Sequence, residues 1–178
     1  RFLYYKALAL KDPVFSTAIE NGTLIVDIGA GRVQLSIFNE GKLCATQSLL
    51  LGASRIHELL LEMQEEAYDF HALIDEYMEK DLVCFRDLYL TSTEIKSIIA
   101  VGEMIPEIYY ALKDSKEDFQ GKLPKKILKR GVLPGSDFSD TRKFITPTLL
   151  LCRKISALTS CEDIYLSDTD LCDSMAAE

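Results

Sequence analysis

The apolar positions change their period several times along the chain, and each change marks an element. Residues 2–10 are apolar at helical spacing and predict the end of a helix, which Lys11-Asp12-Pro13 breaks because proline cannot donate into the preceding turn. Glu20-Asn21-Gly22 predicts a turn. Three segments of strand character follow, Thr23–Asp27, Val33–Asn39 and Lys42–Leu50, with Asn39-Glu40-Gly41-Lys42 as a tight turn between the last two. Within the second, Gln34-Leu35-Ser36-Ile37-Phe38 alternates polar and apolar, the pattern of an antiparallel strand with one covered face.

From Ser54 the period becomes helical. Ile56, Leu59, Leu60, Met63 and Ala67 mark an amphipathic helix, and a second runs across Phe70–Leu88. Ser97–Val101 is a wholly apolar strand ending at Gly102, and Pro106 suits the first turn of a helix running to about Leu112. Residues 113–137, rich in Lys, Asp, Gly and Pro, predict irregular or weakly helical chain. Thr146-Pro147 opens a long apolar helix to residue 159, Asp163–Ser167 predicts a last strand, and a short terminal helix follows. A three-strand meander followed by alternating helices and strands implies an α/β fold: a mixed sheet with helices packed on it.

Composition narrows the function classes. The chain has 178 residues, enough for one domain (1–178) with its own core. No apolar run approaches the ~20 residues that span a bilayer, and the N-terminus lacks a basic-then-apolar leader pattern, so we expect a cytoplasmic protein with no membrane partner. Cys44, Cys84, Cys152, Cys161 and Cys172 are scattered without CxxC spacing, and His57 and His71 are the two histidines, which argues for reduced thiols and against zinc. The net charge of −8 repels nucleic acid, so a polyanion would need a local positive patch. The candidate is Lys122-Leu-Pro-Lys125-Lys126-Ile-Leu-Lys129-Arg130, with five cations in nine residues, which reads more simply as a solvated helix face or loop.

Candidate chemistry concentrates in Leu24-Ile25-Val26-Asp27-Ile28-Gly29-Ala30-Gly31-Arg32-Val33-Gln34-Leu35. An apolar strand delivers an aspartate into a turn with two glycines, and a second strand leaves it. Glycines let backbone N–H groups approach an anion, and a strand-end aspartate can hold Mg²⁺ or a water. The same residues also suit a plain hairpin with a buried aspartate.

This segment resembles the second phosphate motif of the actin, sugar-kinase and chaperone superfamily, and specifically D-I-G-G-G-S-T-E-L of the Ppx/GppA phosphatases, where a strand ending in S-x-x-x-G follows. Ser48-Leu49-Leu50-Leu51-Gly52 stands at that place, and Arg1-Phe2-Leu3-Tyr4 is similar to the family's E-A-R-L-I-Y segment between two domains. Ile99-Ala100-Val101-Gly102 resembles the strand and glycine that open a second loop. Arg142-Lys143 through Leu158, then Ile164-Tyr165-Leu166-Ser167-Asp168, resembles the closing helix and final strand. The resemblance runs along nearly the whole chain in one order. It implies a ribonuclease-H-like (actin-like) second domain with a five-stranded mixed sheet, preceded by an N-terminal domain carrying the other phosphate loop. It further implies polyphosphate or guanosine pentaphosphate bound between the domains, Mg²⁺ on Asp27, phosphate contacts from Asp27, Gly29, Ala30, Gly31, Arg32 and Gly102, and a homodimer. The family's catalytic glutamate lies upstream of the match to Arg1, so this chain alone is expected to be inactive.

Several positions depart from the family pattern. Ala30 replaces a glycine, which is tolerated at negative φ. Arg32 stands at a phosphate-contacting serine and either pairs with phosphate or points to solvent. Gln34 stands at the family's acidic position, and an amide is a poor base and a weak Mg²⁺ ligand. Gly102-Glu103-Met104-Ile105 replaces a Gly/Thr-rich loop, with Glu103 repelling phosphate and Ile105 narrowing the approach, and Leu171-Cys172-Asp173-Ser174 lacks an arginine. His57 reads as a base or, more simply, as a helix-surface histidine; Tyr4, Tyr5, Tyr109 and Tyr110 read as core or interdomain contacts, and Cys152 as core. Three functions follow: a Mg²⁺-dependent phosphohydrolase, a non-catalytic phosphate sensor or scaffold, and, more weakly, an ATP-binding domain. Fold alone does not choose among them.

Overall fold

The computed structural model describes residues 13–63, 70–91, 93–115, 119–133 and 143–168. The readings made for residues 2–10, Ala67, Arg142 and Leu171–Ser174, for Tyr4, Tyr5 and Cys172, and for a terminal helix lie outside them. The elements in order are α1 (Pro13–Glu20), β1 (Thr23–Ile28), β2 (Val33–Asn39), β3 (Lys42–Leu49), α2 (Ala53–Met63), α3 (Phe70–Phe85), β4 (Ser97–Gly102), α4 (Ile105–Ser115), α5 (Lys125–Arg130), α6 (Ile145–Thr159) and β5 (Ile164–Leu166). A single π-helical turn, Arg86–Leu90, follows α3.

The sheet order is β3-β2-β1-β4-β5. β1–β2 and β2–β3 pair antiparallel, and β1–β4 and β4–β5 pair parallel, which is the expected ribonuclease-H-like arrangement. The β2–β3 turn places Glu40 and Gly41 at φ 50° and 68°, the paired positive angles a two-residue hairpin turn needs. One sheet face, carrying Leu24, Val26, Ile28, Leu35, Ile98, Ala100 and Ile164, is buried under the helices that supply Ile56, Leu60, Met78, Leu82, Ile108, Leu149 and Ile155. Full burial of each such side chain stabilises the fold by about 1.5–3 kcal/mol.

The opposite face carries a smaller cluster. Phe15, Ala18 and Ile19 of α1 pack there on Ile25, Phe38, Ile99 and Val101. Pro13 opens α1, because the first helical position needs no N–H and favours proline's fixed φ. The end of α1 is closed from a distance: Glu40 N–H donates to Glu20 O and Gly41 N–H to Ile19 O. Among the described residues of the stretch expected to be irregular or weakly helical, α5 buries Ile127 and Leu128 and ends at Gly131 with φ 67°.

Candidate phosphate loop at the end of strand β1

Asp27 is the penultimate residue of the fully buried strand β1 and is itself only 8% exposed. In register it lies opposite Gln34 on β2, with Ser48 of β3 opposite Gln34 in turn, so all three share one face of the sheet. The alternation seen in sequence therefore sets the expected aspartate beside the expected amide. Gln34 Nε2 donates to Thr46 Oγ1 at 3.1 Å, and Thr46 Oγ1 lies 3.0 Å from Ser36 Oγ. The amide is thereby tethered to β3.

Beyond Asp27 the chain turns through Gly29-Ala30-Gly31-Arg32. Gly29 N–H donates to Arg32 O at 2.9 Å and closes the turn. The loop is then bolted to α2, whose first N–H groups are taken by loop carbonyls: Ala53 N–H by Gly29 O (3.0 Å) and Ser54 N–H by Ala30 O (2.9 Å). Two glycines outside the loop permit this approach. A Cβ on Gly52 would lie 2.0 Å from Ala30 O, and one on Gly102, at φ 125°, would lie 2.1 Å from Ile28 O. Gly52 closes the Ser48–Gly52 segment, and its need is visible only once the loop backbone is placed against it.

The loop's own glycines differ. A Cβ on Gly31 would meet no atom within 4 Å, and one on Gly29 would meet Arg32 O at an ordinary 3.4 Å. Neither has positive φ, and Ala30 also takes an ordinary one. Gly31 and Arg32 are exposed at the outer end of the loop. Such a turn can present backbone dipoles and the Arg32 guanidinium to an anion, with the Asp27 carboxylate beneath. Asp27 with the neutral Gln34 fits Mg²⁺ only as an ion completed by waters and ligand phosphate oxygens, because Mg²⁺ demands six oxygens and binds a single amide weakly. Among the described residues, no group of three or more His, Cys, Asp or Glu side chains converges on a metal site.

The other candidates take structural places. Glu103 is exposed, whereas Ile105 is wholly buried at the start of α4 and so does not narrow the loop, correcting the sequence expectation. His57 is half-buried and meets Phe144 edge-on at 5.4 Å; burial first, then Lys143, push its pKa down from 6.5. Tyr109 contacts Tyr110 and Phe119 edge-on at 5.4 and 5.1 Å. Cys152 is buried, and burial pushes its thiol up to about 12. In the basic run, Lys122 pairs with Asp163 at 2.6 Å and Lys125 with Glu162 at 2.7 Å, leaving Lys126, Lys129 and Arg130 exposed on α5. An open groove of about 490 Å³ lies elsewhere, beside α1, where Val14, Ala18, Lys96 and Tyr165 line it. No helix among the described residues is long and apolar enough to cross a membrane.

No family model matches the sequence, and no curated protein sequence matches it. Solved structures do. The Ppx/GppA family member of Aquifex aeolicus matches with a TM-score of 0.71 at 18% identity, covering 97% of this chain and 60% of that one. An exopolyphosphatase from Cytophaga hutchinsonii matches at 0.64 and 18% identity, covering 88% and 56%. An exopolyphosphatase-like protein matches at 0.57 and 14% identity, covering 86% and 56%. The chain therefore spans about 60% of the length of the first of these structures. Across nearly its whole length, this chain has the fold of the Ppx/GppA proteins.

Proposed function

We propose that this chain is the second, phosphate-binding domain of an exopolyphosphatase- or guanosine-pentaphosphatase-like protein, holding a phosphate chain between its Gly29–Arg32 loop and an N-terminal domain. The observation that carries this reading is the contrast among glycines. Gly52 and Gly102 are required by the fold, since a Cβ on either would strike backbone. Gly31, with open space where its side chain would be and ordinary φ, is not. A residue that the fold does not need as glycine, at the exposed tip of a turn following a strand-end aspartate, is explained by a ligand that approaches the backbone closely. The Ppx/GppA fold supplies the ligand class.

In this reading the loop N–H groups and Arg32 bind phosphate oxygens, and Asp27 carries Mg²⁺ through water, which neutralises phosphate charge when bound. Gln34 orients rather than ionises. An amide is a poor proton acceptor, so Gln34 itself supplies binding and orientation but no general base. A second reading, a phosphate sensor or scaffold without turnover, is favoured by the same Gln34, tethered as a neutral donor to Thr46.

Isothermal titration of tripolyphosphate, guanosine pentaphosphate and ATP into the full-length protein, with and without Mg²⁺ and alongside phosphate release, tests both. Mg²⁺-dependent binding that Asp27→Ala abolishes supports the domain assignment. Release of phosphate selects the enzyme and its absence the sensor, whereas no binding of any of the three ligands refutes the reading.

A further inference from the structure

Gln34 sits between two neighbours that would use its amide in opposite ways. On β1, Asp27 is its register partner, and side chains paired across strands start about 4.5–5.5 Å apart. On β3, Thr46 Oγ1 accepts its Nε2–H at 3.1 Å. A carboxylate is the stronger acceptor, because a charge-assisted hydrogen bond is about twice as strong as a neutral one. The amide nitrogen nonetheless lies on the hydroxyl.

Thr46 is held in turn. Its Oγ1 lies 3.0 Å from Ser36 Oγ, and Ser36 is only 1% exposed, so that hydroxyl has left water for Thr46. Whichever of the two donates, Thr46 keeps a lone pair for the Gln34 N–H. Ser36 pairs with Thr46 in register and stands two residues from Gln34, so all three share the sheet face that carries Asp27. An amide is planar, with oxygen and nitrogen on opposite sides of its axis. Nitrogen on β3 therefore turns Oε1 away from Thr46, to the β1 side where Asp27 stands. A carbonyl oxygen beside a carboxylate is an all-acceptor pair, which suits a cation or its water shell. The flipped amide would instead set its NH2 on Asp27 and occupy the carboxylate.

We infer that Thr46 is a positioning residue of the candidate phosphate loop: its hydroxyl holds the Gln34 nitrogen off Asp27 and so keeps the carboxylate for a hydrated divalent cation. This role rests on the proposed phosphate-binding function and sets its Mg²⁺ dependence. Loss of an outer partner that orients a metal-binding group lowers metal affinity by about tenfold or more.

Calorimetry of tripolyphosphate binding to the full-length protein, with and without Mg²⁺, separates this role from plain packing. Thr46→Val removes the hydroxyl and keeps the shape and strand preference of the side chain. It should cut the tightening that Mg²⁺ gives by about fivefold or more, and leave affinity without Mg²⁺ within about twofold of wild type. Thr46→Ser, which keeps the hydroxyl, should retain the Mg²⁺ effect. An unchanged Mg²⁺ effect in Thr46→Val overturns the inference, as does equal weakening with and without Mg²⁺, the mark of a merely structural residue. Wild type that binds no tripolyphosphate refutes the domain reading and this inference with it. If Thr46→Val folds poorly, ligand-free NMR of wild type labelled with ¹⁵N-glutamine decides. The Gln34 side-chain N–H should exchange with water at least about fivefold more slowly than that of the exposed Gln120, and equal rates overturn the tether.

Discussion

Substituting Gly52 by alanine tests whether the Gly29–Arg32 loop is held by close backbone approach. The added Cβ would lie 2.0 Å from Ala30 O and 2.3 Å from the carbonyl carbons of Ala30 and Gly31. Carbon contacts settle near 3.5 Å, so the loop must recede by more than about 1 Å. No flexible side chain can absorb that shift, because every atom struck is backbone. The same movement pulls Gly29 O and Ala30 O away from the N–H groups of Ala53 and Ser54. Overpacking costs about 1–3 kcal/mol and each of the two lost hydrogen bonds about 1, so Gly52→Ala should destabilise by about 3–5 kcal/mol. Urea unfolding followed by circular dichroism should show the midpoint falling by about 1 M or more. Gly31→Ala is the internal control: its Cβ enters open space at ordinary φ, and stability should stay within about 0.5 kcal/mol of wild type while tripolyphosphate binding weakens. If Gly52→Ala unfolds within about 0.5 kcal/mol of wild type, the loop is not locked in this way and the contrast among the glycines loses its meaning.

Three further outcomes follow from the same geometry. Gln34→Glu sets a carboxylate directly opposite Asp27, so calorimetry should show tighter Mg²⁺ binding and one carboxyl titrating above its usual range; unchanged Mg²⁺ affinity would separate the two side chains. Brief alkylation with mass-spectrometric mapping should modify the exposed Cys44 and Cys84 and spare Cys152, whose buried thiol is held up to about 12, and labelling of native Cys152 would contradict its burial. Because burial and Lys143 hold His57 below 6.5, the folded state resists protonating it. Its contribution to stability is therefore complete above that value and declines as pH falls through it, and His57→Phe should flatten the unfolding-midpoint profile between about pH 7 and 5; a profile of unchanged slope would remove His57 as the cause.

Local pattern disclosed a good deal of this molecule. Strands β1 to β4 are legible because their apolar periods, the Glu40-Gly41 turn and the Gly102 stop are written in adjacent residues. The placing of Asp27 against Gln34 follows from the hairpin once its two-residue turn sets the register. What sequence hides depends on partners far along the chain. Helix α1 is short and opens at a proline, and the N–H groups that close it come from Glu40 and Gly41. The basic run looks like a free patch until Glu162 and Asp163, some forty residues on, are found against Lys125 and Lys122. Gly52 looks like an ordinary loop glycine until Ala30 is placed against it, and Ile105 looks like an obstruction until it is seen inside the core.

The pairing of β1 with β4 joins residues such as Thr23 and Ser97, whose hydroxyls lie 2.7 Å apart across 74 positions of chain. Closing so long a loop is slow compared with forming the β1–β2–β3 hairpins, which need only neighbours. The turn that carries Asp27 is therefore born early, on a local hairpin, but one of its two clamps, Gly102 against Ile28, arrives only when β4 docks. During synthesis and refolding the chain passes through a stage with Gly29–Arg32 joined to β1 and β2 but the turn not yet held in shape. On the proposed function, a variant that slows docking of β4 would delay the appearance of phosphate binding more than the appearance of strand signal.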